Sequence, residues 1–291
     1  MRLSYLLERL LTHLFLEMIM LRKITAIALM SMTTYSYGAQ SIEGSDTLAG
    51  VMTDAIIASG LDQELVYTGG GSGKGEKAVL DATQGLAPMS RAFKDANRQL
   101  AASKGIELEE AVIGLDGVGV FANKESVLAS LNLDEVRRIF TCEITNWSQV
   151  GGPSLEIAAY RRDDFSGTTD TFKKLVGIEE FGACVTAMDE TSDIAAATSQ
   201  DLNAVGYSGM SAKRANNKAL ALAKDASSPS YLPTVANVRS FDYPLARNLY
   251  VYKASGSVSA SDAEVELFEN LLDPSFINPI LQDNDFFTLE D

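Results

Sequence analysis

The sequence predicts an α/β fold, because short apolar runs alternate with segments of helical periodicity, a pattern typical of parallel strands. The first run, residues 41–42, ends in a polar turn at 44–47, and apolar side chains then recur at helical spacing over 48–56. The strand-like residues 156–162 lead through another polar turn into a helix predicted at 169–175. The chain has 291 residues, 46% of them hydrophobic, and is long enough for two domains with full cores.

A glycine-rich loop, YTGGGSGKGE at residues 67–76, follows the next apolar run. It does not match the nucleotide P-loop, because Thr68 stands where the first glycine is required and Gly75 where a magnesium-binding hydroxyl is required. The dinucleotide-binding pattern fails at Glu76, where it needs a glycine. A glycine loop before a helix predicted at 76–83 remains, which is typical both of an anion-binding nest and of a flexible surface turn.

The segment at 86–91 is a further strand-end loop, and it precedes a helix predicted at 93–103. Together with the turns at 44–47, 69–73 and 163–168, it gives four loops that carry Ser, Thr, Gly or Arg after predicted strands. Ligands of open α/β sheets bind at the carboxyl ends of the strands. We therefore expect these loops to line one site.

Two long apolar stretches, residues 111–122 and 245–252, are predicted to connect the halves of the chain. Between them, the pattern predicts a helix at 133–140 and a buried strand with a turn at 204–209. After them, a helix predicted at 261–272 opens with a capping box, in which a serine is followed three positions later by a glutamate.

The first 39 residues are predicted to be a secretory leader, with translation starting at Met20. A basic segment at 20–23 precedes an apolar run at 24–32 that is too short to span a bilayer, and small residues at 36–39 suit cleavage. The leader carries four basic and two acidic side chains, so the loss of its charge of +2 takes the formal net charge from −15 to −17. We therefore expect an acidic protein in the periplasm.

The charge and the lack of histidine exclude several functions. A protein with a charge near −17 is a poor partner for nucleic acid. The only histidine, His13, lies in the predicted leader, so the mature chain cannot use Ser-His-Asp or Cys-His catalysis and lacks the commonest zinc ligand. We predict no catalytic residue, no metal site and no cofactor.

The two cysteines, Cys142 and Cys184, are too few for a tetrahedral metal site. In an exported protein the sequence predicts that they form a disulfide, and the alternative is a pair of unrelated buried thiols. The bond would close a loop of 42 positions, which corresponds to about 4 kcal/mol in the chain-entropy model.

The four loops offer the donors that an inorganic oxyanion requires. Such an anion is strongly hydrated, so a protein must replace its water shell with N–H, hydroxyl and guanidinium groups. A helix N-terminus adds backbone N–H groups. Each of these side chains alone is more often a helix cap or a solvated charge, but their joint placement after strands predicts an anion site. The donors are Ser45, Thr47, Ser72, Ser90, Ser166, Gly167, Thr168 and the guanidinium groups of Arg91 and Arg162.

Several motifs resemble the substrate-binding proteins of phosphate ABC transporters, a family of periplasmic phosphate-binding proteins. In chain order they are GSDTL (44–48), GGGSG (69–73), MSR (89–91), LDEVRRIFTCEITNWSQVGG (133–152), R-x-x-x-SGT (162–168), VGYSG (205–209) and YPLARNLYVY (243–252). The motifs keep their order over nearly the whole mature chain, and the SGT motif with its upstream arginine is fairly specific to the family.

The resemblance implies a two-lobed fold of the type II periplasmic binding proteins, in which each lobe is a mixed sheet flanked by helices and two crossover segments join the lobes. The first lobe is then residues 40–115 plus 246–291, and the second is 116–245. Such a protein closes on one inorganic phosphate and delivers it to the membrane permease subunits of an ABC importer. We expect a monomer that is not an enzyme.

The resemblance also implies a ligand set. The residues carried over by motif are Thr47, the Leu48 amide, Ser72, Ser90, Arg162, Ser166, the Gly167 amide and Thr168. Some family members have an aspartate directly after the serine of the third loop, where this chain has Arg91. Our hypothesis is that Asp46 accepts the phosphate proton, which sulfate lacks. Asp164 is the alternative acceptor, unless it orients the guanidinium of Arg162 or is simply an exposed loop acid.

Three other functions are compatible with the sequence. One is a receptor for another oxyanion, such as sulfate or molybdate. A second is a histidine-free phosphoesterase with Ser45 or Ser166 as the nucleophile, which would need a base such as Lys74. The third is an extracellular interaction or adhesion module, which would show no saturable binding of a small anion.

Overall fold

The structure is a computed structural model that describes residues 38–289, and its strands belong to two lobes. The first lobe contains a two-stranded and a three-stranded sheet. Its strands are β1 (Gln40–Gly44), β2 (Leu65–Gly70), β3 (Leu86–Met89), β4 (Ile106–Gly117) and β13 (Ala246–Gly256). β1 is parallel to β2, whereas β13 lies between β3 and β4 and is antiparallel to both. Apart from Gly38 and Ala39, the predicted leader lies outside the described residues.

Helices pack against these sheets on apolar faces. They are α1 (Ala49–Ala58), α2 (Ser72–Leu80), α3 (Asp95–Ser103), α8 (Asp262–Leu272) and α9 (Pro274–Asp283). α1 follows a 3₁₀ turn at Asp46–Leu48 and buries Val51, Met52 and Ala55, at the spacing that the sequence predicts. The capping box of α8 is also as predicted, since Ser261 Oγ accepts from the Glu264 N–H at 3.3 Å and Glu264 Oε2 accepts from the Ser261 N–H at 2.8 Å.

The second lobe contains a five-stranded and a three-stranded sheet. The larger has the order β10-β5-β9-β7-β8, and the smaller has the order β12-β11-β6. The strands are β5 (Gly119–Asn123), β6 (Ser130–Asn132), β7 (Ala158–Arg162), β8 (Val185–Met188), β9 (Ala204–Ser208), β10 (Asn217–Ala219), β11 (Ala221–Ala223) and β12 (Ser230–Tyr231). β7 is parallel to both β8 and β9, whereas β5 is antiparallel to β9 and β10. Both sheets of the second lobe are therefore mixed, as predicted, whereas the first lobe divides into one parallel and one antiparallel sheet.

The helices of the second lobe connect its strands. They are α4 (Leu133–Phe140), α5 (Gly167–Val176), α6 (Thr191–Gln200) and α7 (Val235–Arg239), with 3₁₀ turns at Trp147–Val150 and Met210–Ala212. α4 has the bounds that the sequence predicts. α2 and α5 begin earlier than their apolar periodicity predicts, at Ser72 and Gly167, because their first turns consist of glycine and hydroxyl residues that carry no hydrophobic signal. None of the helices within residues 38–289 combines the length and the apolar character that a bilayer crossing requires.

Two crossover segments join the lobes, as predicted from the apolar stretches. β4 continues through Val118 into β5, and the chain returns through Leu245 into β13. The segments run side by side, since Gly117 pairs with Ala246 and the Val118 N–H donates to the Leu245 carbonyl at 2.9 Å. This arrangement places the carboxyl end of β4 next to the amino end of β13, between the lobes.

The core of the second lobe is rich in aromatic side chains, and a disulfide links two segments of the same lobe. Phe140, Phe172 and Tyr207 are fully buried, and the Phe172 and Tyr207 rings stack with centroids 3.7 Å apart. Cys142 and Cys184 are bonded, which confirms the predicted disulfide and excludes the alternative of free thiols. The bond ties the end of α4 to the residue before β8, so it fixes two elements of this lobe.

Candidate functional site

The four strand-end loops converge between the lobes. Thr47 Oγ1, in the loop after β1, lies 2.9 Å from Thr168 Oγ1 at the start of α5. Ser72 Oγ, at the start of α2, lies 3.4 Å from Ser90 Oγ in the loop after β3. A Cβ atom added to Gly167 would lie 2.2 Å from Ser72 Oγ and 2.9 Å from Ser90 Oγ. The structure therefore brings together four of the predicted hydroxyl groups, those of Thr47, Ser72, Ser90 and Thr168.

The first loop is fixed by its backbone. The Ser45 N–H donates to the Pro88 carbonyl at 2.8 Å, and the Tyr67 hydroxyl donates to the Ser45 carbonyl at 2.7 Å. These bonds hold the 3₁₀ turn that carries Thr47 and Leu48 against β2 and β3. Ser45, Thr47 and Leu48 are all buried, and the Ser45 side chain makes no cap bond to the turn.

Two helices begin at the hydroxyl cluster. At α2, Ser72 Oγ accepts a hydrogen bond from the Ser90 N–H at 3.1 Å, which joins two loops of the first lobe. At α5, Ser166 Oγ accepts from the Thr169 N–H at 3.3 Å and so caps the helix. The N–H groups of Gly167 and Thr168 lie in the first turn of α5, where an α-helix provides no internal acceptor. These amides are suited to an anion, which the helix dipole also stabilises.

Arg162 is the buried cation of the predicted set, and only 1% of it is exposed. Its Nη1 donates to Thr191 Oγ1 at 2.8 Å and to Asp46 Oδ2 at 3.0 Å. Its Nη2 donates to the Asp189 carbonyl at 2.8 Å and to Asp163 Oδ2 at 3.3 Å. The buried Nε has no hydrogen-bond partner among residues 38–289. Since buried N–H groups are nearly always paired, this donor is available to a ligand.

The acidic candidates differ in their surroundings. Asp46 belongs to the first lobe, and its Oδ2 accepts from two groups of the second lobe, Arg162 Nη1 at 3.0 Å and the Thr191 N–H at 2.9 Å. The Asp164 side chain is 81% exposed and pairs with Arg161 at 2.6 Å instead of Arg162. Asp164 is therefore an exposed loop acid, and the alternative that it orients Arg162 is wrong.

The Arg91 guanidinium is bonded to protein carboxylates on all sides. Nη1 and Nη2 donate to the two oxygens of Glu76 at 2.6 and 3.1 Å, and Nε donates to Asp170 Oδ2 at 2.7 Å. Nη1 also donates to the carbonyl of Ala92 at 2.9 Å. Because Glu76 lies on α2 and Asp170 on α5, Arg91 joins the two lobes beside the hydroxyl cluster. Its side chain does not point into the cluster.

A second buried arginine, Arg247, was not among the predicted residues. It lies on β13, and its Nη2 and Nε donate to Oδ2 of Asp116 on β4 at 2.5 and 2.9 Å. Nη2 is also 3.4 Å from Thr47 Oγ1. The other Asp116 oxygen accepts from the Met210 N–H at 3.0 Å. The sequence did contain a signal for this pair, because Asp116 and Arg247 are the charged residues of the two otherwise apolar crossover segments.

Burial shifts the pKa values of Asp116 and Arg247 in opposite directions. Desolvation raises the pKa of the Asp116 carboxyl, while Arg247 and the Met210 N–H lower it. Desolvation also lowers the pKa of the Arg247 guanidinium, and Asp116 raises it. Desolvation is the larger effect for both groups, so the pKa of Asp116 is raised and that of Arg247 is lowered from their ordinary values, while both Asp116 oxygens accept hydrogen bonds.

Two cavities are lined by residues next to the hydroxyl cluster: one by Asp46, which precedes Thr47, and the other by Arg91, which follows Ser90. A cavity of about 580 Å³ is lined by the acidic side chains of Asp46, Asp163 and Glu190 together with Lys74. A cavity of about 490 Å³ is lined by Arg91, Lys94, Lys174 and Arg247, with Asp95 and Asp170 among its acidic residues. In the part of the chain from 38 to 289, no group of three or more His, Cys, Asp or Glu side chains is arranged to hold a metal ion.

A comparison with protein families identifies the chain. The model of the PBP superfamily domain matches residues 33–264, which is most of the sequence. This chain belongs to the PBP superfamily. Among relatives of this PBP superfamily member is the phosphate-binding protein PstS of Pseudomonas aeruginosa, which is 28% identical over 232 residues. That match covers 74% of this chain and 72% of the relative.

Solved structures share the fold of this PBP superfamily member. A Clostridium perfringens protein, assigned as a phosphate ABC transporter substrate-binding protein and crystallised with bound phosphate, has a TM-score of 0.77 and 22% identity. The alignment covers 87% of this chain and 100% of that one. An ABC-type phosphate transport receptor from Vibrio cholerae has a TM-score of 0.66 and 20% identity, and the alignment covers 85% of this chain and 99% of that one.

Proposed function

We propose that this protein binds inorganic phosphate in the periplasm and delivers it to the permease subunits of an ABC importer. The observation that carries the proposal is the convergence of buried hydroxyl and amide donors from both lobes, next to Asp46, whose carboxylate pairs with the buried Arg162. Relatives named as phosphate-binding proteins and phosphate transport receptors support the choice of anion.

The donor set suits a small, highly charged oxyanion. Phosphate has four oxygens, each with lone pairs that accept hydrogen bonds. The residues that we assign to the site are all hydrogen-bond donors, and none of them is assigned to a metal ion. The binding residues are Ser45, Thr47, the Leu48 amide, Ser72, Ser90, Arg162, Ser166, the Gly167 amide and Thr168. Because these groups are buried, their hydrogen bonds to an anion act in a medium of low dielectric constant, where they are stronger than in water.

The ligand is held between two lobes, with boundaries that we place at 40–115 plus 246–291 and 116–245. Side chains from both sides of this division meet at the site, since Thr47 contacts Thr168 and Asp46 contacts Arg162. Binding then closes the lobes, and opening releases the anion to the permease. We further propose that the chain acts as a monomer and that residues 1–39 are a cleaved leader.

The protein is proposed to release phosphate unchanged. The mature chain has no histidine, and the hydroxyl groups of Ser45 and Ser166 have no basic side chain within hydrogen-bond distance among residues 38–289. A serine nucleophile needs such a base to be activated. This argument favours a receptor over a phosphoesterase.

Titration calorimetry of the purified protein, freed of phosphate by unfolding and dialysis, tests the proposal. We expect one phosphate per chain. Sulfate and molybdate should bind at least about 100-fold more weakly, because they carry no proton to donate to an acceptor in the site. Preference for sulfate or molybdate would assign a different oxyanion, and no binding of any of them would reject a receptor. A chromogenic phosphomonoester provides the control for catalysis, since turnover would favour the enzyme.

A further inference from the structure

Arg247 is a buried cation whose hydrogen-bonding capacity is only partly used. Its Nε and Nη2 face Asp116, and Nη2 also approaches the Thr47 hydroxyl that touches Thr168. Its Nη1 is buried and has no hydrogen-bond partner among the described residues, 38–289. Arg162 Nε is the other guanidinium nitrogen in this condition among the described residues. Arg247 contacts the hydroxyl cluster through Thr47, and Arg162 contacts Asp46, the residue before Thr47. An unpaired buried N–H costs free energy unless a ligand accepts from it.

We propose that Arg247 is a second anion-binding guanidinium of this site and that Asp116 is the residue that positions it. The inference rests on the proposed function, because it assigns a further residue to the same phosphate site. In this arrangement one edge of the guanidinium is fixed by Asp116, and Nη1 is the donor left for the anion.

The environment of the pair supports a positioning role for Asp116. Its carboxylate is completely buried, and its Oδ1 accepts a hydrogen bond from the Met210 N–H in the turn after β9. Gly209 lies directly against the same atoms, since a Cβ atom there would be 2.5 Å from Thr47 Cγ2, 3.0 Å from Asp116 Oδ2 and 3.2 Å from Arg247 Nη2. A glycine is therefore required where the turn after β9 covers the pair. The Arg247 guanidinium is enclosed and has little freedom to turn away.

The charges around the site explain why a second guanidinium matters. Asp46 and Asp163 pair with Arg162, and Asp116 pairs with Arg247, so three carboxylates accompany two arginines. These side chains sum to a formal charge of −1 before an anion arrives. Attraction by net charge is therefore absent, and affinity depends on N–H groups that point at the anion. Losing one such donor is expected to weaken binding strongly.

The test compares Arg247→Gln, Arg247→Lys and Asp116→Asn with wild type by phosphate titration calorimetry. Removing one member of a buried, hydrogen-bonded charge pair predicts a loss of about 100-fold in phosphate affinity for Arg247→Gln. Arg247→Lys keeps the charge but loses the fork, so we expect a loss of about 10-fold. The matched control is Arg98→Gln, since Arg98 pairs with Glu110 and Tyr252 away from the cluster, and its affinity should equal that of wild type.

A double-mutant cycle tests the positioning role of Asp116. If Asp116 acts through Arg247, Asp116→Asn weakens phosphate binding in the wild-type background but causes no further loss in Arg247→Gln. A merely structural role predicts the same loss in both backgrounds, which would overturn the role of Asp116. Thermal unfolding without phosphate identifies variants that do not fold, and Arg247→Lys then serves in place of Arg247→Gln.

The outcomes separate the two proposals. If wild type does not bind phosphate, the proposed function fails. If wild type binds phosphate and folded Arg247→Gln or Arg247→Lys binds it equally well, the proposed function stands and the role of Arg247 is rejected. Loss of affinity in both Arg247 variants, with Arg98→Gln unchanged, supports the inference.

Discussion

Asp46 connects the lobes through a single carboxylate oxygen. Oδ2 accepts from the Arg162 guanidinium and from the Thr191 N–H, both of which belong to the second lobe. No protein donor within residues 38–289 is assigned to Oδ1, so this oxygen can accept from a ligand. Asp46 is thus both a contact of the closed state and the acid that we expect to accept the proton of phosphate.

Replacing Asp46 by asparagine should reduce the selectivity for phosphate over sulfate. An amide can present an N–H to an unprotonated oxyanion, so the penalty against sulfate is reduced, while the weakened contact with Arg162 lowers the affinity for both anions. We expect the ratio of the two dissociation constants to change by about 10-fold, measured by calorimetry. Asp164→Asn, which alters an exposed acid, is the control. An unchanged ratio in Asp46→Asn would reject Asp46 as the proton acceptor.

Arg91 shows how two neighbouring residues can have different roles. Ser90 belongs to the buried hydroxyl cluster, whereas the Arg91 side chain points away from it to Glu76 and Asp170. Sequence adjacency places both residues in the same loop, but it does not determine the direction of a long side chain. This arginine contributes to lobe contact, and three of its four hydrogen bonds go to the carboxylates of Glu76 and Asp170.

At the level of elements, the glycine loop between β2 and α2 makes room for the opposite lobe. Gly71 has φ of +106°, and a Cβ atom there would lie 2.5 Å from the Phe165 carbonyl oxygen. The same oxygen accepts a hydrogen bond from the Gly73 N–H at 3.0 Å. The adjacent Lys74 is exposed and lies 6.0 Å from the Phe165 ring centroid. Gly71 and Gly73 therefore allow the Phe165 backbone of the second lobe to come close to this loop, on either side of Ser72.

Gly71→Ala is expected to lower phosphate affinity by about 10-fold or more, because the methyl group would collide with the Phe165 carbonyl in the closed state. Gly60→Ala is the matched control, since Gly60 also has a positive φ, of +72°, but no atom lies within 4 Å of its added Cβ. Gly60→Ala should cost about 1 kcal/mol of stability through backbone strain, and Gly71→Ala should cost more, because a ψ of 150° at positive φ is essentially restricted to glycine. Calorimetry and thermal unfolding would separate the effects, and equal affinities for the two variants would exclude a role of the loop in closure.

The charge of the whole molecule affects how phosphate is bound. The formal net charge is −15, and would be near −17 without the predicted leader, so the protein repels an anion at long range. Affinity must then come from short hydrogen bonds inside the closed site, where salt ions do not enter. Ion pairs that join the lobes, such as Arg91 with Asp170 and Arg162 with Asp46, hold that site shut.

This balance predicts a weak dependence of phosphate affinity on salt. Between roughly 0.05 and 0.5 M sodium chloride, the dissociation constant should change by no more than about threefold, because the site is buried and surface repulsion is screened even at moderate salt. Calorimetry at constant pH measures this change, and sodium nitrate at matched ionic strength controls for specific chloride effects. A steep fall of affinity with salt would indicate binding by surface charge instead.

Local patterns were sufficient for much of this description. Helix α4 and the capping box of α8 follow from apolar periodicity and cap residues, since both signals arise within a few residues of chain. The convergence of Ser72, Ser90 and Thr168 was predictable because the carboxyl ends of strands share one side of an α/β fold. The starts of α2 at Ser72 and of α5 at Gly167 could not be predicted from apolar periodicity, since the first turns of these helices lack large apolar residues.

The sequence by itself determined the α/β class, the disulfide and the loops that carry hydroxyl donors, because these depend on local sterics, hydrophobic spacing and redox chemistry. Only the tertiary structure decided which charges pair. Arg247 and Asp116 lie 131 positions apart, and Arg162 and Asp46 lie 116 apart. Burial makes an unpaired charge costly, so each arginine is matched by whichever carboxylate the fold brings to it, and no local pattern encodes that choice.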